Sequence, residues 1–198
     1  MRTTRISVEV SGLHAAADEC DDLHDWIVVP DAPADLPDLV TASRQLAALS
    51  GLLNDVSDEV LLRVTDDDPG IDLRPVIHTY ASVSETVGQA MKNFTAAYAQ
   101  LGFLHRFANA QDSPDLRDAR EVAFHIARDR LDNTRRLLAD TGTQLRRSAG
   151  QLVGGPHRIQ AALSRSARSS EATNGTVQPA ADRQPTRLAY TPSPRHVR

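Results

Sequence analysis

Apolar residues recur every three or four positions over most of the first 150 residues, and short runs of proline, glycine and aspartate interrupt the rhythm. The clearest stripe is Val76, Tyr80, Val83, Val87, Ala90, Phe94, Ala97, Leu101, Leu104 and Ala108, whose steps alternate four and three without a break. That is the heptad rhythm of a helix packed along one seam, as in a coiled coil. Asp72 is placed as its N-cap and Pro75 in its first turn, and a helix from there to Ala110 would be roughly 55 Å long. An earlier helix is expected over residues 35–64, with Leu36, Leu39, Val40, Leu46, Leu49, Leu53, Val56, Val60, Leu61 and Val64 as its apolar positions. Asp35 is its expected cap, and Pro37 is tolerable in a first turn.

The run Thr65-Asp-Asp-Asp-Pro-Gly70 separates these two helices with strong turn chemistry. After the turn at Asp112-Ser113-Pro114 a third helix carries Leu116, Ala119, Ala123, Ile126, Leu131, Thr134, Leu138 and Leu145. Ser113 or Asp112 caps it, Pro114 takes its first position, and it is expected to end by Gly150. Charges such as Asp118/Arg120, Asp129/Arg130 and Asp132/Arg135 flank its stripe.

The first thirty residues read differently. Ile6, Val8 and Val10 share a face at period two among β-branched neighbours, which predicts a short strand over residues 4–10. Ser11 and Gly12 then turn the chain into a short acidic helix over residues 13–28, with Leu23, Trp26 and Ile27 as its apolar cluster. Residues 26–29 could instead form a second strand.

Short connections force neighbouring helices to run antiparallel. The expected fold is therefore mainly α: an antiparallel three-helix bundle of long helices, with residues 13–28 available as a fourth, shorter member. Three regions result. Residues 1–34 hold the strand and acidic helix, residues 35–150 the bundle, and residues 151–198 a basic tail rich in Ser, Pro and Arg. Beyond Gly154-Gly155-Pro156 a brief basic helix over residues 157–168 is conceivable. From Ser169 onward too few apolar residues remain to offset the entropy of ordering, so disorder is expected.

Composition sharpens this picture in three ways. The aromatic inventory is four Phe, three Tyr and one Trp, which suits a seam between helices better than a thick core. The longest apolar run, from Trp26 to Pro30, is far too short to span a bilayer, and residues 1–12 lack the apolar block of a signal peptide. With the single cysteine, Cys20, these features give a cytoplasmic expectation. Charge is divided: the formal net charge of −4 combines −11 over residues 1–143 with +7 over residues 144–198, where nine arginines face only Glu171 and Asp182.

Candidate chemistry is thin. His14, Cys20 and His24 lie among Asp18, Glu19, Asp21, Asp22 and Asp25, and Cys20/His24 has the i, i+4 spacing that puts two ligands on one face. A metal needs three or four ligands at one centre, so an acidic solvated face is the better account. Flanking carboxylates would also raise the thiol's pKa, the reverse of what a catalytic cysteine requires. Asp66, Asp68, Gly70 and Asp72 alternate as in a calcium loop, but the bidentate acid would fall on Ile77 and Pro69 interrupts the pattern. His78, His105 and His125 lack a carboxylate at fixed spacing, so each is read as a partly buried or helix-boundary histidine. No nucleophile turn or phosphate-binding glycine loop is present. Tyr80, Phe94 and Tyr98 read as core, whereas Phe103 and Phe107 are expected to form an exposed apolar patch.

No catalytic, cofactor or metal residue is assigned on these grounds. The expectation is a non-enzymatic helical scaffold or protein-interaction protein with a flexible basic tail, binding a protein partner or itself and no membrane. The alternative is a nucleic-acid-associated accessory protein whose arginine tail contacts phosphates. Against that alternative, the body is acidic and the tail holds one aromatic, Tyr190, and no lysine. The tail is expected to associate loosely with the acidic cluster at residues 18–25 or with residues 66–68.

Overall fold

The computed structural model describes the backbone of residues 2–65 and 72–171 and the side chains of residues 4–65 and 72–154. Four helices account for most of it: α1 (Arg2–Trp26), α2 (Leu39–Val64), α3 (Arg74–Arg106) and α4 (Pro114–Glu171), with a single 3-10 turn at Pro33–Asp35. The chain divides into two units, Met1–Pro156 and His157–Arg198. The described backbone of the second, residues 157–171, is helical.

Within the first unit the helices run up and down. Glu9 of α1 meets Arg63 of α2, while Gln45 near the start of α2 donates to the carbonyl of Trp26 at 2.8 Å. Ser43 bonds Tyr98 at 2.9 Å and Ser50 reaches Met91, so α2 and α3 are antiparallel. Along α3 and α4 the pairs Asn93/Arg130, Ser82/Gln144 and Thr79/Ser148 follow in opposite order. Arg146 of α4 reaches back to Asp18 and Asp21 of α1 and closes the ring. This is an antiparallel four-helix bundle whose first helix is a full member.

The expected strand over residues 4–10 is therefore corrected: no strand occurs among the described residues, and the segment is the first part of α1. Two periods compete there. Ile6, Val8 and Val10 satisfy period two, but Glu9, Leu13, Ala17, Cys20, Leu23 and Ile27 are buried at steps of four and three, and Val8 is 63% exposed. An inward glutamate hid the helical phase. Burial against three other helices outweighs the modest helix disfavour of Ile and Val. The turn read at Ser11-Gly12 is likewise helix, and residues 26–29 form no strand: Trp26 ends α1 half exposed, while Leu23 and Ile27 of the expected apolar cluster are buried in the core.

Boundaries shift elsewhere for local reasons. The cap of α2 is Asp38, not Asp35: its carboxylate accepts from the Thr41 amide at 2.8 Å and from the Thr41 hydroxyl at 3.0 Å. Asp35 instead accepts from the Ala32 amide at 3.1 Å, closing the 3-10 turn. Helix α3 stops at Arg106, where Arg120 of α4 donates to the Phe107 carbonyl. Ser113 accepts from the Leu116 amide at 3.2 Å, with Pro114 opening α4, as expected. Helix α4 does not end by Gly150 but continues through Gly154-Gly155-Pro156 to Glu171.

The core follows heptad-like rows. The α3 stripe is buried from Val76 to Leu101, together with Thr79 and Asn93. In α2 the inward row is Ala42, Gln45, Leu49, Leu52, Val56 and Arg63. In α4 it includes Phe124, Ala127, Leu131, Thr134, Leu138, Thr141, Leu145 and Ala149. Ile126, expected inside, is 39% exposed, because the row passes through Phe124 and Ala127 on either side of it. Gly142 allows α1 and α4 to approach closely. A Cβ there would stand 2.9 Å from Asp21 Oδ1 and 3.4 Å from the Ala17 carbonyl oxygen.

Candidate binding groove between α1 and α2

The titratable residues singled out by the sequence do not converge. Cys20 is fully buried in the core, and its thiol is pushed up to about 12, chiefly by burial, with Glu19 and Asp21 adding to the effect. His14 is exposed and His24 bonds its neighbour Asp25 at 2.9 Å. Among the described residues no group of three or more His, Cys, Asp or Glu is placed to hold a metal ion. Residues 66–71, including Asp66, Asp68 and Gly70, lie outside the described residues, as does the chain beyond residue 171. Asp72 accepts from the Arg74 amide at 3.1 Å. His78, His105 and His125 are exposed and none is partly buried, and His125 does have a carboxylate at i, i+4 spacing, Glu121 at 3.9 Å.

The Asp18–Asp25 face already has a partner within the bundle. Arg146, counted by charge with the basic end of the chain, bonds Asp18 at 3.2 Å and also pairs with Asp21. Phe103 and Phe107 are not an open patch either: both are half-buried, with ring centroids 4.8 Å apart. Exposed apolar side chains gather elsewhere. Trp26, Val28 and Val40 lie where α1 ends and α2 begins, and Val8, Leu61, Leu62 and Val64 lie at the opposite end of the same two helices.

The second of these groups adjoins the most unusual feature of the molecule. Arg63, only 7% exposed, donates from Nε to Glu9 at 2.6 Å and from Nη1 to both the carbonyl, at 2.9 Å, and the carboxylate of Glu59. Its guanidinium lies 4.6 Å from the centroid of the Tyr80 ring. Tyr80 is fully buried, yet its hydroxyl has no hydrogen-bond partner. Burial pushes that phenol up to about 12, while Arg63 pulls the other way. Two charges this deep are tolerated because each satisfies the other.

Next to this pair, Gly12, Ala15, Ala16 and Glu19 of α1 face Leu52, Asp55, Val56 and Glu59 of α2 across a recess of about 190 Å³, which Tyr80 also lines. Each helix contributes positions i, i+3, i+4 and i+7, so the recess follows the groove between them. Small residues hold the α1 wall low. At Gly12 even a methyl group would come within 3.3 Å of the Tyr80 hydroxyl. The rim is acidic, and the carboxyl of Glu19 is pushed up from its usual range by burial first, then by Asp55 and Asp22. Thr4, Val8, Gly12, Ala15 and Glu19 form one strip on α1, and Leu62 continues the α2 side, so exposed apolar residues and acidic recess share a face.

A larger recess of about 260 Å³ lies among Leu13, Val76, Leu152 and their neighbours. Its hydroxyls, Thr79 and Ser148, already bond each other at 3.0 Å, and Gln151 is the one further polar side chain in its lining. Nothing in the sequence pointed to the α1–α2 groove. Its acids read as a solvated face, and its floor residue belongs to a third helix.

No helix among the described residues is long and apolar enough to cross a membrane. No protein-family model, curated protein or solved structure matches the chain.

Proposed function

We propose that this protein is a non-enzymatic helical scaffold that binds another protein along the α1–α2 face. The observation that carries the reading is the combination on that face: Val8 and Leu62 are 63% and 64% exposed, and a groove walled by small residues and acids continues from them. Large apolar side chains so exposed beside a concave surface are a common mark of protein recognition. The cysteine and the described histidines are poorly placed for nucleophilic or acid–base chemistry. Cys20 is held as a buried thiol, and among the described histidines only His24 is even half-buried.

The test is affinity capture from the native host with the full chain and with a Val8→Glu/Leu62→Glu variant, compared quantitatively. Both sites are already in solvent, so the variant should melt with the parent, within about 0.5 kcal/mol for each change. A partner retained by the parent and lost by the variant supports the reading. Indistinguishable captures would refute it.

A further inference from the structure

We propose that the α1–α2 recess seats the guanidinium or ammonium head of an arginine or lysine side chain, presented by a basic segment of the partner protein. The proposal rests on the interaction reading above and names the chemistry that the partner must carry.

Three independent features point to such a group. Glu19, Asp55 and Glu59 line the recess, whereas Arg63, bonded beside it, is already shared between Glu9 and Glu59. Glu19 and Asp55 thus face each other with no described bond to a cation, and Asp55 disfavours the charge of Glu19. A cation placed between them relieves that repulsion. The Tyr80 hydroxyl is fully buried, lacks a partner and belongs to a side chain that lines the recess. A phenol hydroxyl both donates and accepts, and its oxygen can take an N–H from a cationic head while its proton stays available to the acidic wall. The walls between rim and floor are Ala15, Ala16, Leu52 and Val56, which suit the methylenes of a long basic side chain.

Other occupants fit less well. A bare metal ion needs several ligands at one centre, and no such group exists among the described residues. Phosphates are repelled by the rim. A basic residue flanked by apolar ones on a partner helix would bring its apolar side chains onto Val8 and Leu62 as its cation enters the recess, about two to three helical turns further along.

The experiment titrates the isotopically labelled full chain with two probes: agmatine, which carries a guanidinium and an ammonium at the two ends of an alkyl stem, and the capped tripeptide acetyl-Ala-Arg-Ala-amide, which carries the guanidinium alone. Amide resonances are followed by NMR, with neutral 1-pentanol as the stem-only control. Saturable shifts centred on Gly12, Ala15, Ala16 and Asp55 are expected from both cationic probes and not from pentanol. Glu19→Gln and Asp55→Asn should each weaken binding about three- to fivefold, as expected for partly exposed ion pairs. Tyr80→Phe, which removes only the orphan hydroxyl, should keep the fold and also weaken binding.

Shifts that fall elsewhere, that pentanol reproduces, or that ignore both carboxylate variants would overturn the proposal. Binding of agmatine with exclusion of the tripeptide would also overturn it, in favour of a site for a small free cation. The two readings fail separately. Loss of host capture by Val8→Glu/Leu62→Glu without cation binding refutes the recess alone. Cation binding with indifferent capture removes the partner protein and refutes both as stated.

Discussion

Replacing Arg63 by methionine removes the charge that holds three helices together while keeping much of the side-chain volume. The loss is specific. Glu9, about 10% exposed, forfeits its 2.6 Å bond, the Glu59 carbonyl and carboxylate lose theirs, and the Tyr80 ring loses the guanidinium above it. Removing one member of a buried ion pair costs about 3–5 kcal/mol, because the other charge is stranded. For a helical unit of this size that lowers the melting temperature by roughly 6–20 °C. Replacing both partners, as Glu9→Leu/Arg63→Met, removes the stranded charge. It should recover at least about 2 kcal/mol of the loss, since apolar replacements of buried pairs are often neutral or stabilising. Glu59, whose side chain is 39% exposed, contributes through a screened pair, and Glu59→Gln should cost no more than about 1 kcal/mol. The assay is a double-mutant cycle in denaturant, followed by helical circular dichroism. If Arg63→Met costs less than about 1 kcal/mol and the two changes simply add, the pair is not a buried one and the reasoning fails.

Three further outcomes follow from the packing. Phe94→Ala, at a fully buried site, should cost roughly 3–5 kcal/mol, whereas Gln100→Ala should be near neutral and Ile126→Ala close to it; equal denaturation midpoints for Phe94→Ala and Ile126→Ala would contradict the burial pattern. Cys20 and Tyr80 both have pKa values pushed up to about 12, so the fold favours their neutral forms; stability is complete below their unfolded values and declines as pH rises through about 9–12. Cys20→Ala should blunt that alkaline decline, and a thiol reagent at neutral pH should label Cys20 only as fast as the bundle opens. Gly88→Ala meets nothing within 4 Å and should stabilise α3 by about 0.5–1 kcal/mol, whereas at Gly142 the same change crowds Asp21 and should give less or reverse sign; thermal melts that rank them the other way would refute the close approach of α1 and α4.

Helix α3 shows how far a sequence carries by itself. Its buried positions from Val76 to Leu101 are apolar or aromatic apart from Thr79 and Asn93, which lie beside the stripe and leave its rhythm unbroken, so the period of the pattern is the period of burial. The caps at Ser113 and the stop before residue 66 are equally local, because a short side chain and the adjacent backbone suffice to make them. The four-helix arrangement was legible only in part. In α1 the inward row contains Glu9, in α2 it contains Gln45 and Arg63, and in α4 it contains Thr134 and Thr141. A polar residue at a core position breaks the hydrophobic rhythm and makes a helix look shorter than it is. Glu9 is acceptable there only because Arg63 arrives from a residue 54 positions away.

The candidate groove belongs wholly to the tertiary level. Gly12, Ala15 and Ala16 are weak signals on α1, Asp55 and Glu59 look like solvated acids on α2, and Tyr80 counts as one more core aromatic on α3. Their meaning depends on three helix faces meeting, and the helical period says which residues share a face but not which faces meet. Loop length makes neighbours antiparallel. Whether Gly12 lies over Tyr80, or Arg146 over Asp21, depends on the relative rotation and offset of whole helices. Those are set by the sum of many side-chain contacts along each interface, and no local stretch of sequence contains that sum.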